Sequence, residues 1–154
     1  RIPDRDGAGE LSFGAMISPW AELRQKMLVA ANERRLPVVH PVVQRMTRRT
    51  RTVDWVSGAC LLIRRGDLEA VGLMDERFFL YTEDVDLCAS VRARGREGVF
   101  VSQVEIGYLR GRSGAGAPRP THDAYRRSQI AFYEKHHPGW VRWLKIYLRI
   151  RGRL

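Results

Sequence analysis

The 154-residue chain predicts a mixed α/β fold that closes on helices. Three features of the sequence carry this expectation: strand-like runs rich in β-branched and aromatic residues at Val53–Ile63 and Gly98–Ser102, stretches of helical spacing around them, and two helical stretches in series at the C-terminal end. With 44% hydrophobic residues the chain can bury one sizeable core. One globular unit is therefore expected.

The elements follow in chain order. Asp4, Asp6, Gly7 and Gly9 are turn residues ahead of the apolar run Leu11–Ile17, which reads as loop and short strand. Pro19 suits a first helical turn, and Leu23, Met27, Ala30 and Ala31 keep a helical period to about Asn32. Pro37, Pro41 and the cluster Arg45, Arg48, Arg49 and Arg51 interrupt that period, so residues 33–52 are expected as a long surface connection. Val53–Ile63, VDWVSGACLLI, reads as a buried strand with an irregularity at Gly58. Asp67 is placed to cap a short helix through Val71, which Gly72 ends.

An aromatic loop with Phe78, Phe79 and Tyr81 then runs into a helix from Glu83 to Arg94, stopped by Gly95; acidic residues in its first turn and arginines in its last suit the helix dipole. Strands are expected at Gly98–Ser102 and Val104–Leu109, then a flexible glycine-proline segment over 110–120, then helices at Thr121–His136 and Pro138–Arg151. In the last helix Trp140, Trp143, Leu144, Tyr147 and Leu148 share a face, and the opposite face is basic.

The chain carries 27 Lys and Arg against 17 Asp and Glu, a formal charge of +10, which favours an anionic partner such as nucleic acid, phospholipid head groups or a diphosphate-bearing substrate. Nucleic acid is set aside, because no helix-turn-helix, zinc or RNP-type pattern accompanies the arginines and they fall in two distant segments. Cys60 and Cys88 belong to no metal-type spacing and are expected as buried free thiols, which suits a reducing compartment. No apolar run reaches the roughly 18 residues of a spanning helix. The chain opens on Arg1 without a signal-peptide pattern, which reads as a piece of a longer chain.

The sharpest chemical feature is Glu83-Asp84-Val85-Asp86, three carboxylates in four positions at a loop-to-helix junction. A helix N-terminus favours negative charge, so the cluster suits a general base or a metal ligand; it equally suits plain capping and salt bridging. Trp55-Val56-Ser57-Gly58-Ala59 places small residues after a large aromatic, where backbone can approach a ligand or a helix can pack on a strand. His136-His137 precedes Pro138 and reads as a partly buried, helix-ending pair, since adjacent helical residues point in different directions.

The order of these pieces, DWVSGACLLIRRGDLEAVGLMDERFFLYTEDVDLCASVRARG and then YRRSQIAFYEKHHPGW, resembles the rhamnosyltransferase-like branch of the family 2 glycosyltransferases, with the likeness running from about Gly7 to Trp140. The resemblance implies the C-terminal part of a GT-A fold and an inverting transfer from a nucleotide-diphospho-sugar to a polysaccharide or lipid-linked glycan. By the same resemblance Asp84 is the catalytic base, Glu83 and Trp55 line the acceptor side, and Gly58 and Ala59 pack close to donor and acceptor. Residues 1–137 would form the acceptor and catalytic-base half, and 138–154 a basic amphipathic helix.

Departures from the family pattern qualify what it implies. The family's Asp-x-Asp-type motif and nucleotide-binding strands have no counterpart here, so the donor half is expected to be missing and the chain alone inactive. A divalent cofactor, Mg²⁺ or Mn²⁺, is expected of the full-length family member, yet Tyr108 stands where a histidine is usual and no metal ligand is assigned. Ser90 stands where an arginine is usual, which removes a charge partner of the acidic cluster. The basic tail fits either an interfacial helix on an anionic membrane or a helix packed on the core. A cytoplasmic site is expected, with the inner face of the cell membrane as docking surface. The alternative is a catalytically silent module that binds membrane or a partner.

Overall fold

The computed structural model describes residues 1–3, 7–78, 80–107 and 118–152, with side chains of the last segment described from 123 onward. In order, it forms β1 (Phe13–Gly14), α1 (Pro19–Glu33), α2 (Val39–Thr47), β2 (Arg51–Val53), β3 (Trp55–Val56), a 3-10 turn (Gly58–Cys60), α3 (Arg65–Ala70), α4 (Glu83–Ala93), β4 (Gly98–Phe100), α5 (Pro118–His136), a second 3-10 turn (Pro138–Trp140) and α6 (Val141–Ile150). The expected mixed α/β architecture is present, in keeping with a GT-A-like part-fold.

Two small antiparallel sheets lie among the helices. β1 pairs with β3, Phe13 opposite Val56 and Gly14 opposite Trp55. β2 pairs with β4, Arg51 opposite Phe100 and Val53 opposite Gly98. Phe13, Val53 and Phe100 form a buried cluster that joins the sheets, with the Phe13 and Phe100 rings 4.4 Å apart. A second cluster, Phe78, Val85, Phe132 and Tyr133, is shared by the loop before α4, α4 itself and α5; Trp55, Ala89, Val141 and Leu144 pack against it.

Residues 33–52 are not the surface connection that the prolines suggest. Pro41 falls at the third position of α2, where its missing N–H has no intrahelical acceptor to lose. Val43 and Thr47 of this helix are fully buried. The Gln44 amide locks α2 to the N-terminal segment, accepting from Gly9 N at 2.7 Å and donating to Gly9 O at 3.1 Å. Gly9 is required there, since a Cβ would lie 2.2 Å from Thr47 Oγ1.

The single strand expected at Val53–Ile63 is also corrected. It is two short strands flanking Asp54, then a 3-10 turn whose cap is Ser57, its hydroxyl accepting from Ala59 N at 3.3 Å. Asp54 interrupts the run because its carboxylate has partners outside the sheet: Oδ2 accepts from Met16 N at 2.9 Å and Oδ1 pairs with Arg92 at 2.9 Å. Cys60 is exposed and Cys88 half-buried, so the expected pair of core thiols is not found.

Smaller departures lie at the ends of elements. The β4 strand ends at Phe100, and residues 104–107 are irregular rather than the start of a strand. Asp67 sits in the first turn of α3 but does not cap it; its carboxylate pairs with Arg96 at 2.9 Å instead. Helix α5 begins at Pro118, earlier than expected, and α4 ends as expected with Gly95 in the left-handed region at φ 77°. Phe79, Tyr108 and residues 109–117 of the glycine-proline segment lie outside the described residues.

Helix α1 docks through a carboxylate rather than an apolar stripe. Leu23 and Met27, which set its helical period, face solvent. Glu22 turns inward and accepts from Gln129 Nε2 at 2.7 Å, the Tyr125 hydroxyl at 3.1 Å, Lys26 Nζ at 3.0 Å and the Tyr133 hydroxyl at 3.4 Å. Burial, reinforced by the Glu22 charge, pushes both phenols well above the usual tyrosine range, so they remain donors.

Candidate active site

The three carboxylates at the start of α4 point to three different environments. The backbone arranges this: Tyr81 and Thr82, just ahead of the helix, are both in the left-handed region, at φ 66° and 68°. Neither is a glycine, and such conformations cost of order 1–3 kcal/mol each. Two in succession, immediately before the acidic residues, mark a turn that the surrounding contacts must hold. Thr82 is buried, and the Ser128 hydroxyl of α5 fastens the same loop by donating to Leu80 O at 2.8 Å.

Asp84 faces the sheet side. Its Oδ2 accepts from Gly58 N at 2.7 Å and its Oδ1 from Val85 N at 2.8 Å. Two backbone donors from different elements thus fix the plane of the carboxylate. Each oxygen keeps lone-pair capacity for a further donor. Gly58 lies against the carboxylate, since a Cβ at that position would sit 3.3 Å from Asp84 Cβ.

Asp86 faces the core. It is 3% exposed, and accepts from His136 Nε2 at 2.6 Å and Lys135 Nζ at 2.8 Å. Lys135 also donates to Asp75 at 3.0 Å, so the end of α5 ties α4 to the loop before it. The charge partner that Ser90 cannot provide thus comes from α5. Asp75, further held by the Arg77 guanidinium, is kept well below the usual carboxylate range. His137 is anchored separately, with Nε2 2.7 Å from Ile17 O. The pair is partly buried, as expected, and each ring points to a different element.

Glu83 is half-buried, and its Oε2 has no hydrogen-bond partner among the described residues. Burial pushes its carboxyl above the usual range, with the neighbouring Asp84 charge adding to the shift. Trp55 serves the scaffold: its indole N–H donates to Ala15 O at 2.8 Å, and its ring lies against Gly14, where a Cβ would come within 2.8 Å. Ala59 sits beside Gly58 in the 3-10 turn. Of the five residues singled out, the structure brings Asp84 and Gly58 into direct contact, with Glu83 and Ala59 as their chain neighbours, whereas Trp55 packs against the cluster of Phe78, Val85, Phe132 and Tyr133.

The contacts of Asp54 and Glu22, and the pairing of Asp86 with Lys135 and His136, were not legible in the sequence, although Asp86 and His136 themselves were singled out. Asp54 carried one signal, a charge inside a strand-like run; the others depend on contacts between distant segments. Among the described residues no group of three or more His, Cys, Asp and Glu could hold a metal ion. Too few oxygen ligands converge there for the described residues by themselves to fit Mg²⁺ or Mn²⁺, which take several.

Comparison with known proteins identifies the class. The family model described as glycosyltransferase like family 2 matches residues 13–142. The N-acetylglucosaminyl-diphospho-decaprenol L-rhamnosyltransferase of Mycobacterium tuberculosis is 35% identical over 116 residues, covering 72% of this chain and 38% of that protein. Rhamnosyltransferase WbbL of Escherichia coli is 40% identical over 43 residues, 28% of this chain and 16% of its own. The matched segments therefore cover well under half the length of these relatives. No solved structure gives a significant match. With a family match over most of its length and a relative of this identity, the chain belongs to glycosyltransferase family 2, in its rhamnosyltransferase-like branch.

Proposed function

We propose that residues 1–137 supply the acceptor side and the catalytic base of an inverting glycosyltransferase, which moves a hexosyl or rhamnosyl unit from a nucleotide-diphospho-sugar to a lipid-linked glycan or polysaccharide. The observation that carries this reading is the Asp84 carboxylate, oriented by Gly58 N and Val85 N at 2.7 and 2.8 Å. A base must present a fixed lone pair to the proton it removes, and backbone donors fix one without consuming it.

In the step proposed, the acceptor hydroxyl gives its proton to Asp84 as its oxygen attacks the anomeric carbon. The new C–O bond forms on the face opposite the diphosphate, the bond from that carbon to the diphosphate oxygen breaks with its electron pair, and the configuration inverts. Glu83, Ala59 and the Gly58 backbone border the approach, and Trp55 holds the strand beneath. The donor is bound by a part of the enzyme outside this chain, and work at the cytoplasmic face of a membrane suits a lipid-linked acceptor.

Support comes from the rhamnosyltransferase named above, whose name gives a diphospho-decaprenol-linked acceptor. The test is transfer by the product of the complete reading frame, supplied with dTDP-rhamnose and related nucleotide sugars and a polyprenyl-diphosphate glycan. An inverted glycosidic linkage in the product is expected by NMR. A retained configuration, or no transfer from any nucleotide sugar, overturns the reading.

A further inference from the structure

Helix α6 carries two adjacent apolar stripes, and only one is used. Leu148 is fully buried, and Val141 and Leu144 pack on the core cluster that holds Phe132 and Tyr133. The residues 140, 143, 147 and 150, which follow one another at helical spacing, form the second stripe. There Trp140 is 49% exposed, Trp143 64%, Tyr147 49% and Ile150 81%. A helix docked only to complete a core would not place two tryptophans, a tyrosine and an isoleucine in water.

The charges beside this stripe select its partner. Residues 138–154 contain five Lys and Arg and no Asp or Glu. Lys145 is neutralised by Glu134 at 2.9 Å. Arg142 and Arg149, two helical turns apart and exposed, have no carboxylate partner among the described residues, and the Arg151 guanidinium lies over the Tyr147 ring at 5.4 Å. Tryptophan and tyrosine prefer the boundary between head groups and acyl chains, and arginines along the edge of such a stripe reach anionic phosphates. Among the described residues no helix is long and apolar enough to cross a membrane, so the contact is one of lying on the surface.

We propose that the Trp140–Trp143–Tyr147–Ile150 stripe, formed by α6 and the 3-10 turn before it, docks the protein on the surface of an anionic phospholipid bilayer, with Arg142 and Arg149 meeting the head-group phosphates. The docking is independent of the chemistry assigned to Asp84, because it concerns a different face and is read by binding alone.

The test is co-sedimentation of the full chain with phosphatidylglycerol-containing vesicles and with pure phosphatidylcholine vesicles. Partition into the anionic vesicles is expected to be stronger by about tenfold or more, since each basic residue near such a surface adds severalfold. The double change Trp143→Ser, Ile150→Ser lowers it about tenfold, and Arg142→Gln, Arg149→Gln removes the preference for anionic lipid; all four positions are exposed, so circular dichroism and thermal melting are unchanged. In the unaltered protein, bromine-labelled acyl chains quench tryptophan emission, and Trp140→Phe, Trp143→Phe abolishes that quenching. Equal partition into both vesicles, no effect of the stripe changes, or absence of quenching overturns the proposal. So does a dimer in sedimentation velocity that the same stripe changes dissolve, or salt-sensitive binding to duplex DNA in place of vesicles.

Discussion

Replacing Gly58 with alanine separates the positioning of Asp84 from the stability of the fold. Gly58 is exposed and lies outside the left-handed region, so the backbone itself accepts a side chain. The added methyl would lie 3.3 Å from Asp84 Cβ and 3.6 Å from its Oδ2. Carbon atoms prefer about 3.5–4.0 Å, so one of the two segments must yield by a few tenths of an ångström. That displacement strains the 2.7 Å bond from Gly58 N to Oδ2, one of the two that fix the carboxylate. A misplacement of 1 Å costs roughly 10²-fold in rate, so a few tenths should cost roughly 3–10-fold. Stability should stay level or rise by up to ~1 kcal/mol, because alanine restricts the unfolded chain. The assay is turnover of the complete enzyme at saturating donor and acceptor, with thermal melting in parallel. Wild-type turnover, or a turnover loss that simply follows a lower melting temperature, would refute the reasoning.

Three further predictions concern single carboxylates. Glu22→Ala removes the shared acceptor of Tyr125, Gln129 and Tyr133, and about 1–3 kcal/mol of stability should be lost in urea unfolding, whereas Glu22→Gln should retain part of it. The two shifted carboxyls act in opposite senses with pH. Asp75 is held below its ordinary value of 3.8, so its contribution is present above that pH and is lost as pH falls through the folded-state value; Asp75→Asn should flatten the acid limb of a stability profile. Glu83 is raised above 4.5, so its contribution is present below that pH and lost as pH rises through the folded-state value. Glu83→Gln should therefore raise stability at neutral pH and leave it unchanged in acid.

The sequence revealed most where a local rule decides the outcome. Helix α4 has its acidic first turn and glycine stop written in order, and α1, α5 and α6 follow from periodicity and proline placement. The loop-to-helix junction that carries Glu83, Asp84 and Asp86 was legible for the same reason. What the pattern concealed was every decision made by a distant partner. Pro41 looked like a breaker because nothing local shows that α2 starts just before it. Asp54 looked like part of a strand because Met16 N and Arg92, its partners, are far along the chain. The inward turn of Glu22 inverted the expected face of α1, and the division of labour among Glu83, Asp84 and Asp86 became visible only once Gly58 and Lys135 stood beside them. In α6 the sequence marked one apolar face; packing divided it into a buried stripe and an exposed one.

The most direct test of the account is Asp84→Asn in the complete enzyme, which keeps an oxygen for the Gly58 N–H but can no longer accept the acceptor's proton. Turnover should fall by ~10²- to 10⁴-fold while donor affinity by calorimetry stays within about twofold of wild type. Unchanged turnover, or a loss explained by weaker donor binding, would contradict the assignment of Asp84 as the base.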